Sequence, residues 1–293
     1  MNECIALEIG IFIVPDAGDH ETTVAQAVAA DQVGLDAVAI QDHPYQYRFL
    51  DTWTLLSFVA ARTERVRLVP DVINLPLRAP AVLAKSVASL DLLTDGRVEL
   101  GIGAGAFWEG VAAMGGPRRT AGESVEALEE AIGIIRQFLD GSSSVRFEGR
   151  HYRVAGARPG PPPAHGVGIW VGAYGPRMLR LTGRLADGWL PSIGGRYLPL
   201  DDVPARQATI DDAATRAGRD PSEIARVANV GLDDSDWLDP ERLAAVATDL
   251  RFGMLLLSVP SEGAVEFVRR LGEDVAPRAA SSPAECGRGG SGR

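Results

Sequence analysis

Two cysteines, Cys4 and Cys286, are all that the 293 residues carry, and they stand near opposite ends of the chain. Neither belongs to a CxxC pair or to a Cys/His cluster with metal-ligand spacing. A disulfide framework and a structural zinc site are therefore excluded, and the pattern predicts a reducing, cytoplasmic compartment. No apolar run approaches the length needed to span a bilayer. The start, MNECIALEIG, has neither a basic segment nor a long apolar stretch of the kind that directs secretion. Positive charge is also short: 29 Lys and Arg against 39 Asp and Glu leave a net charge of −10, which argues against a nucleic-acid or anionic-membrane surface. HExxH, Walker A and GxSxG spacings are missing, which disfavours a zinc hydrolase, a P-loop enzyme and a nucleophilic hydrolase. No lysine sits at a predicted strand end, and Lys85 falls inside a helix, so an aldolase-type barrel is disfavoured too.

What is present is an ordinary globular composition, 46% hydrophobic and 23% charged, arranged as repeated βα units. LEIGIFIV (7–14) is a nearly continuous β-branched run, as in a strand buried on both faces. It is followed by a helix ending at Gly34, then by DAVAI, TWTLLSFVAARTE and VRLVPDVI as strand, helix and strand. In the third helix, PAVLAKSVASLDLLTDG, Leu83, Val87 and Leu90 share one face. The alternation continues through RVELGIG, VGIWVGAYG, GWLPS, ARVANVGL and GMLLLSV, giving eight strands and eight helices. Right-handed crossovers close such a series into a (β/α)₈ TIM barrel. The competing open doubly wound sheet lacks its usual GxGxxG turn after the first strand. Residues 141–166 interrupt the rhythm with a predicted hairpin and a Pro/Gly loop, read as an insertion between strands four and five. The barrel domain is expected over 1–278, with a disordered tail at 279–293, SSPAECGRGGSGR-rich in Gly and Ser.

Barrel sites form at the C-terminal ends of the strands, and four stretches fall there. Asp42-His43 ends the second strand. Imidazole is suited to proton transfer near neutral pH and a neighbouring acid can orient it, although Asp, His and Pro44 also suit a solvated turn. In PDVINLP (70–76), Asp71 interrupts an apolar strand end and Asn74 follows, either as a plain loop or as a bulge supporting a flat ring. GIGAGAFW (101–108) has alternate glycines that permit close backbone approach or simply make a tight turn. VGAYGPRMLR places Gly172 and Gly175 before Pro176 at a helix start, where unpaired N–H groups and Arg177 and Arg180 suit a phosphate.

The stretches GLDAVAIQDHPY, TWTLLSFVAARTERVRL, LRAPAVLAKSVASLDLLTDGRVELGIGAG and GPRMLRLTGRLADGWLPS resemble the bacterial luciferase-like monooxygenase superfamily, over roughly residues 7–275. More specifically, they are similar to its branch that uses the deazaflavin coenzyme F420. The resemblance implies a (deaza)flavin ring at the barrel mouth. Asp42 would hold the ring's polar edge, and His43 would give or take a proton on the substrate. A non-prolyl cis peptide at Asp71–Val72, with Asn74 beside it, would buttress the ring next to Gly103, Ala104 and Gly105. Gly172, Ala173, Tyr174 and Gly175 would hold the cofactor phosphate. Two departures bear on substrate. Ala106 stands where relatives acting on sugar phosphates and alcohols have Glu, and Tyr47 is the aromatic nearest to a position where many have Trp. Tyr47, Ala106, Phe107 and Trp108 are therefore expected to form an apolar, aromatic substrate pocket. Family members are often dimers, which implies a possible homodimer, although the sequence carries no interface signature.

The expected activity is hydride transfer between reduced coenzyme F420 and a small organic substrate, with His43 as proton donor or acceptor. The alternatives are an FMN-dependent monooxygenase of the same superfamily and a catalytically silent flavin-binding relative.

Overall fold

The computed structural model describes residues 7–231 and 235–281. Ten parallel strands form one sheet. They are β1 Glu8–Ile13, β2 Ala37–Ile40, β3 Arg67–Pro70, β4 Ile73–Asn74, β5 Leu100–Gly103, β8 Ile169–Val171, β9 Gly188–Trp189, β10 Ser192–Ile193, β11 Ala225–Val230 and β12 Met254–Ser258. The order β3-β2-β1-β12-β11-β9-β8-β5-β4 ends where it began in the chain, because β3 and β4 are two halves of one barrel position. The ring closes through Leu68, whose N–H donates to the Arg97 carbonyl at 2.7 Å and whose carbonyl accepts from the Glu99 N–H at 3.2 Å. β9 and β10 likewise share one position beside β11. Eight barrel positions result, as the eight βα units predict.

The run VRLVPDVI, read from sequence as one strand, is broken in the structure by a cis peptide between Asp71 and Val72. The break lets β3 pair with β2 and β4 with β5, so the same position serves both neighbours. Two apolar cores result. The alternation along β2 turns Val38 and Ile40 outward into the large core under the helices. Ala37 and Ala39 turn inward, beside Val69, Trp170, Leu190, Val227, Met254 and Leu256, which fill the lumen. Backbones crowd closely there: a Cβ on Gly101 would lie 2.2 Å from the Pro70 carbonyl oxygen.

Helices α1 His20–Gln32, α2 Thr52–Ala60 and α3 Pro80–Leu93 follow the first three positions. A short α4, Trp108–Ala113, precedes the long α5, Ala121–Leu139, whose start is a full capping box between Thr120 and Glu123. α6 Pro176–Leu185, α7 Val203–Arg216, α8 Pro240–Asp249 and α9 Ala264–Arg270 complete the outer layer. The α4 turn is an addition to the eight helices read from sequence. No helix among the described residues is long and apolar enough to cross a membrane.

The 141–166 stretch holds a two-stranded antiparallel hairpin, β6 Val145–Glu148 with β7 Arg153–Ala157. It is tied to α5 by Glu130, whose carboxylate accepts the N–H groups of Arg150, His151 and Tyr152 at 2.7–2.9 Å. At the chain's far end, α10 Ala276–Ser281 carries Ala279 into the core at 2% exposure. Residues 279–281, expected in a disordered tail, are therefore helical because Ala279 has an apolar face to cover. The remainder of that tail, 282–293, and both cysteines lie outside the described residues.

Candidate active site

The parallel register puts the strand ends on one rim. Ile13 lies beside Ile40 and Ile40 beside Pro70; Asn74 pairs with Gly103, Ile102 with Val171, and Ser192 with Asn229. The residues just past these ends surround a cavity of about 980 Å³. Its wall includes Asp42, His43, Asp71, Val72, Asn74, Gly103, Ala104, Gly105, Ala106, Phe107, Gly172, Tyr174 and Gly175. Loop residues 103–107 border this space.

Three expected residues do not line it. Tyr47 is 86% exposed and lies under the Arg48 guanidinium, 5.5 Å from the ring centroid. The turn after His43 points it at solvent, and Tyr45 takes the inward place. Ala173 is buried behind the wall, where its carbonyl accepts the Trp189 indole N–H at 2.9 Å. Trp108 opens α4 and turns away from the cavity. Its ring backs onto Gly105, whose positive φ of 98° and tight contact with Pro76 suit glycine.

Asp42 lines the cavity and is bonded behind it. Its carboxylate, 1% exposed, accepts from Arg78 Nη2 at 3.0 Å, from Arg78 Nε at 3.2 Å and from the Asn74 N–H at 2.9 Å. These bonds tie β4 to the Asp42-His43 turn. Arg78 in turn reaches Asp51, the N-cap of α2. Sequence gave no sign of Arg78, which returns from beyond the third strand.

His43 is half-buried, and its Nδ1 lies 2.7 Å from the Tyr45 hydroxyl. Burial holds its pKa below the ordinary imidazole value, with the Asp42 charge opposing. Burial thus favours the uncharged ring. Phe107 packs edge-on against it at 5.8 Å.

The cavity floor is Asp71 with Asn229, whose Nδ2 donates to Asp71 Oδ1 at 3.1 Å. Burial drives the Asp71 carboxyl up to about 7, against the Asn229 hydrogen bond. Asp71 Oδ2, Asn74 Oδ1 and Asn229 Oδ1 are buried without a partner among the described residues. Three unpaired acceptors beside the cavity fit a ligand edge that carries N–H donors, since orphaned buried acceptors are costly. At the opposite wall, Gly175 caps α6 without a side-chain bond and Pro176 occupies the first turn. The free N–H groups of that turn, with Arg177 and Arg206 on the same wall, fit an anionic group. Gly175 has open space where a Cβ would stand. Polar flat ring at the floor and phosphate at the helix start are thus both accommodated.

Several wall residues escaped the sequence reading: Phe12, Tyr45, Ser192, Arg206, Asn229 and Ser258. Asn229 had a signal, an amide in the apolar strand ARVANV, but the others look ordinary until folded. Of the histidines without a nameable partner in sequence, His165 sits 2.8 Å from the buried Asp91, and His151 lies 3.5 Å from Glu126, both away from the cavity. Among the described residues no group of His, Cys, Asp and Glu is placed to hold a metal ion.

Fold and site together define a TIM barrel with a cofactor-sized cavity at its C-terminal mouth. Residues 7–232 match the luciferase-like monooxygenase family, and the chain belongs to it. It is 36% identical over 219 residues to an F420-dependent glucose-6-phosphate dehydrogenase of Intrasporangium calvum, covering 71% of this chain and 64% of that protein. The chain thus spans less than two thirds of that relative's length. It is 30% identical over 241 residues to a 5,10-methylenetetrahydromethanopterin reductase of Archaeoglobus fulgidus, covering 82% of this chain and 68% of the relative. A solved F420-dependent secondary alcohol dehydrogenase in complex with an F420-acetone adduct shares the fold, with a TM-score of 0.79 at 18% identity over 93% of this chain and 99% of that one.

Proposed function

We propose that the chain is an F420-dependent oxidoreductase that moves a hydride between the deazaflavin and a small organic substrate, with His43 handling the accompanying proton. The observation that carries this reading is His43 itself: an imidazole at the cavity wall, its Nδ1 2.7 Å from the Tyr45 hydroxyl and its Nε2 without a partner among the described residues. The glucose-6-phosphate dehydrogenase relative, named for F420 dependence, supports the choice of cofactor.

When bound, the deazaflavin supplies or accepts hydride at its C5 position. The chain's own residues do the rest. Asp71, Val72 and Asn74 would support the ring, with the unpaired oxygens of Asp71 and Asn74 meeting its N–H groups. Tyr174, Gly175, the first turn of α6 and Arg177 would hold the phosphate. Phe12, Tyr45, Ala106 and Phe107 give the cavity an apolar wall, which suits an uncharged, apolar substrate. His43 Nε2 would give a proton to the substrate atom, or take one from it in the reverse direction. Positioning in a dry mouth supplies most of the rate gain, and acid–base help adds ~10²–10⁴-fold.

The test is titration of the purified chain with coenzyme F420 and with FMN, following the fluorescence of each. Saturable F420 binding, then turnover in a screen of ketones and activated alkenes, is expected. Tight FMN binding with no F420 binding would overturn the proposal in favour of a flavin monooxygenase.

A further inference from the structure

Tyr45 touches His43 in a way that the reading above does not use. Its hydroxyl oxygen is 2.7 Å from His43 Nδ1, and the two rings lie 5.5 Å apart. Either group can donate in such a pair, but a neutral imidazole nitrogen is a far stronger acceptor than a neutral phenol oxygen, and the phenol is the stronger acid. The phenol therefore sends its proton to Nδ1. Burial and the Asp42 charge push the phenol up to about 12, so the proton stays on it at neutral pH.

The ring of Tyr45 is also held in place. Phe107, at a left-handed φ of 54°, packs against Tyr45 at 5.9 Å and against His43 at 5.8 Å. Beneath it, α4 carries glycine at position 110, where an added Cβ would come within 2.7 Å of Tyr45 Cγ and 3.0 Å of its Cβ. Those atoms are at the root of the side chain and cannot swing aside.

We propose that Tyr45 is a positioning residue that fixes the tautomer of His43, occupying the Nδ1 lone pair so that Nε2 carries the proton and presents it to the cavity. The proposal rests on the reading of His43 as the proton-handling group. It assigns the short helix α4 and Gly110 the task of holding the Tyr45–His43 relay in register. A neutral imidazole in the other tautomer would place its lone pair in the cavity and could not donate there.

The test uses the full chain labelled with ¹⁵N, without added cofactor, and reads the imidazole nitrogens by long-range ¹H–¹⁵N correlation. The His43 signals are identified by their loss in His43→Gln. The wild type is expected to show a protonated Nε2 and a bare Nδ1. Tyr45→Phe keeps the ring and removes the proton, and is expected to shift His43 toward a mixture of tautomers. With the substrate found for the wild type, kcat should fall ~10-fold or more while KM and F420 affinity change little. Gly110→Ala, which keeps the hydroxyl but displaces the ring, should move both readouts in the same direction. A wild-type His43 protonated on Nδ1, or a Tyr45→Phe chain with unchanged tautomer and kcat, would overturn the proposal. Should the wild type bind no F420 yet show the Tyr45-dependent tautomer, the relay stands and the proposed function falls.

Discussion

Arg78 grips both oxygens of Asp42, with Nη2 3.0 Å from Oδ1 and Nε 3.2 Å from Oδ2. The pair ties the loop after β4 to the turn that carries His43, and Asp42 keeps only 1% of its side-chain surface exposed. A carboxylate so enclosed depends on its partner, because removing one member strands a buried charge. Arg78→Ala should therefore cost about 3–5 kcal/mol of stability, read as a lower urea midpoint. A midpoint equal to the wild type's would show that the pair does not hold the rim.

His43→Ala should leave F420 affinity near the wild-type value, since the imidazole faces the substrate side of the cavity and the phosphate wall is elsewhere. Turnover should fall ~10²–10⁴-fold. Fluorescence titration and steady-state rates, run on the same preparation, check the two halves of this expectation. Unchanged turnover would remove His43 from the reaction.

Asp71 makes stability depend on pH with a definite sign. Its carboxyl titrates at about 7 in the folded chain against 3.8 as the ordinary value, burial being the main cause. Below the unfolded pKa both states are protonated and the group costs nothing. Between there and about 7 the folded state holds a proton that the unfolded chain has lost, so stability falls as pH rises through that window. The full loss is on the order of 4 kcal/mol at ~1.4 kcal/mol per pH unit. Asp71→Asn should flatten this slope. Urea denaturation at pH 5 and pH 8 compares them, and parallel profiles for the two proteins would contradict the assignment.

Two glycines, one in the lumen and one at the mouth, should separate folding from binding. At Gly101 a Cβ would be driven into the Pro70 carbonyl, at 2.2 Å, so Gly101→Ala should lower stability by at least ~1–3 kcal/mol. At Gly175 a Cβ meets nothing within 4 Å. Gly175→Ala should melt like the wild type yet bind F420 more weakly, because its methyl enters the space before α6. Thermal melts and cofactor titration distinguish them; a Gly175→Ala chain with unchanged affinity would move the phosphate elsewhere.

Much of the barrel was legible in the chain because strand burial is a local property. Runs such as DAVAI and GMLLLSV are apolar throughout, as strands covered on both faces must be. Where polar residues ended those runs, the rim could be marked in advance: Asp42-His43, Asp71 to Asn74, the glycines from 103 and the turn from 172. The cis peptide at Asp71–Val72 fell where resemblance placed it. The α4 turn and the helical run to Ser281 were missed, because neither has a periodic stretch long enough to announce itself.

The sequence alone determined which residues reach the mouth, since alternation of strand and helix fixes the end of the barrel at which each loop emerges. Only the tertiary structure decided what they do there. Asp42 met Arg78 from 36 residues away and formed an ion pair with it, while the buried Asp71 kept an oxygen without a partner among the described residues. The turn after His43 sent Tyr47 to solvent and brought Tyr45 onto the imidazole. Partners such as Arg78 and Asp42, or Asn229 and Asp71, come from different barrel positions, and closing the ring is what brings them within hydrogen-bonding distance.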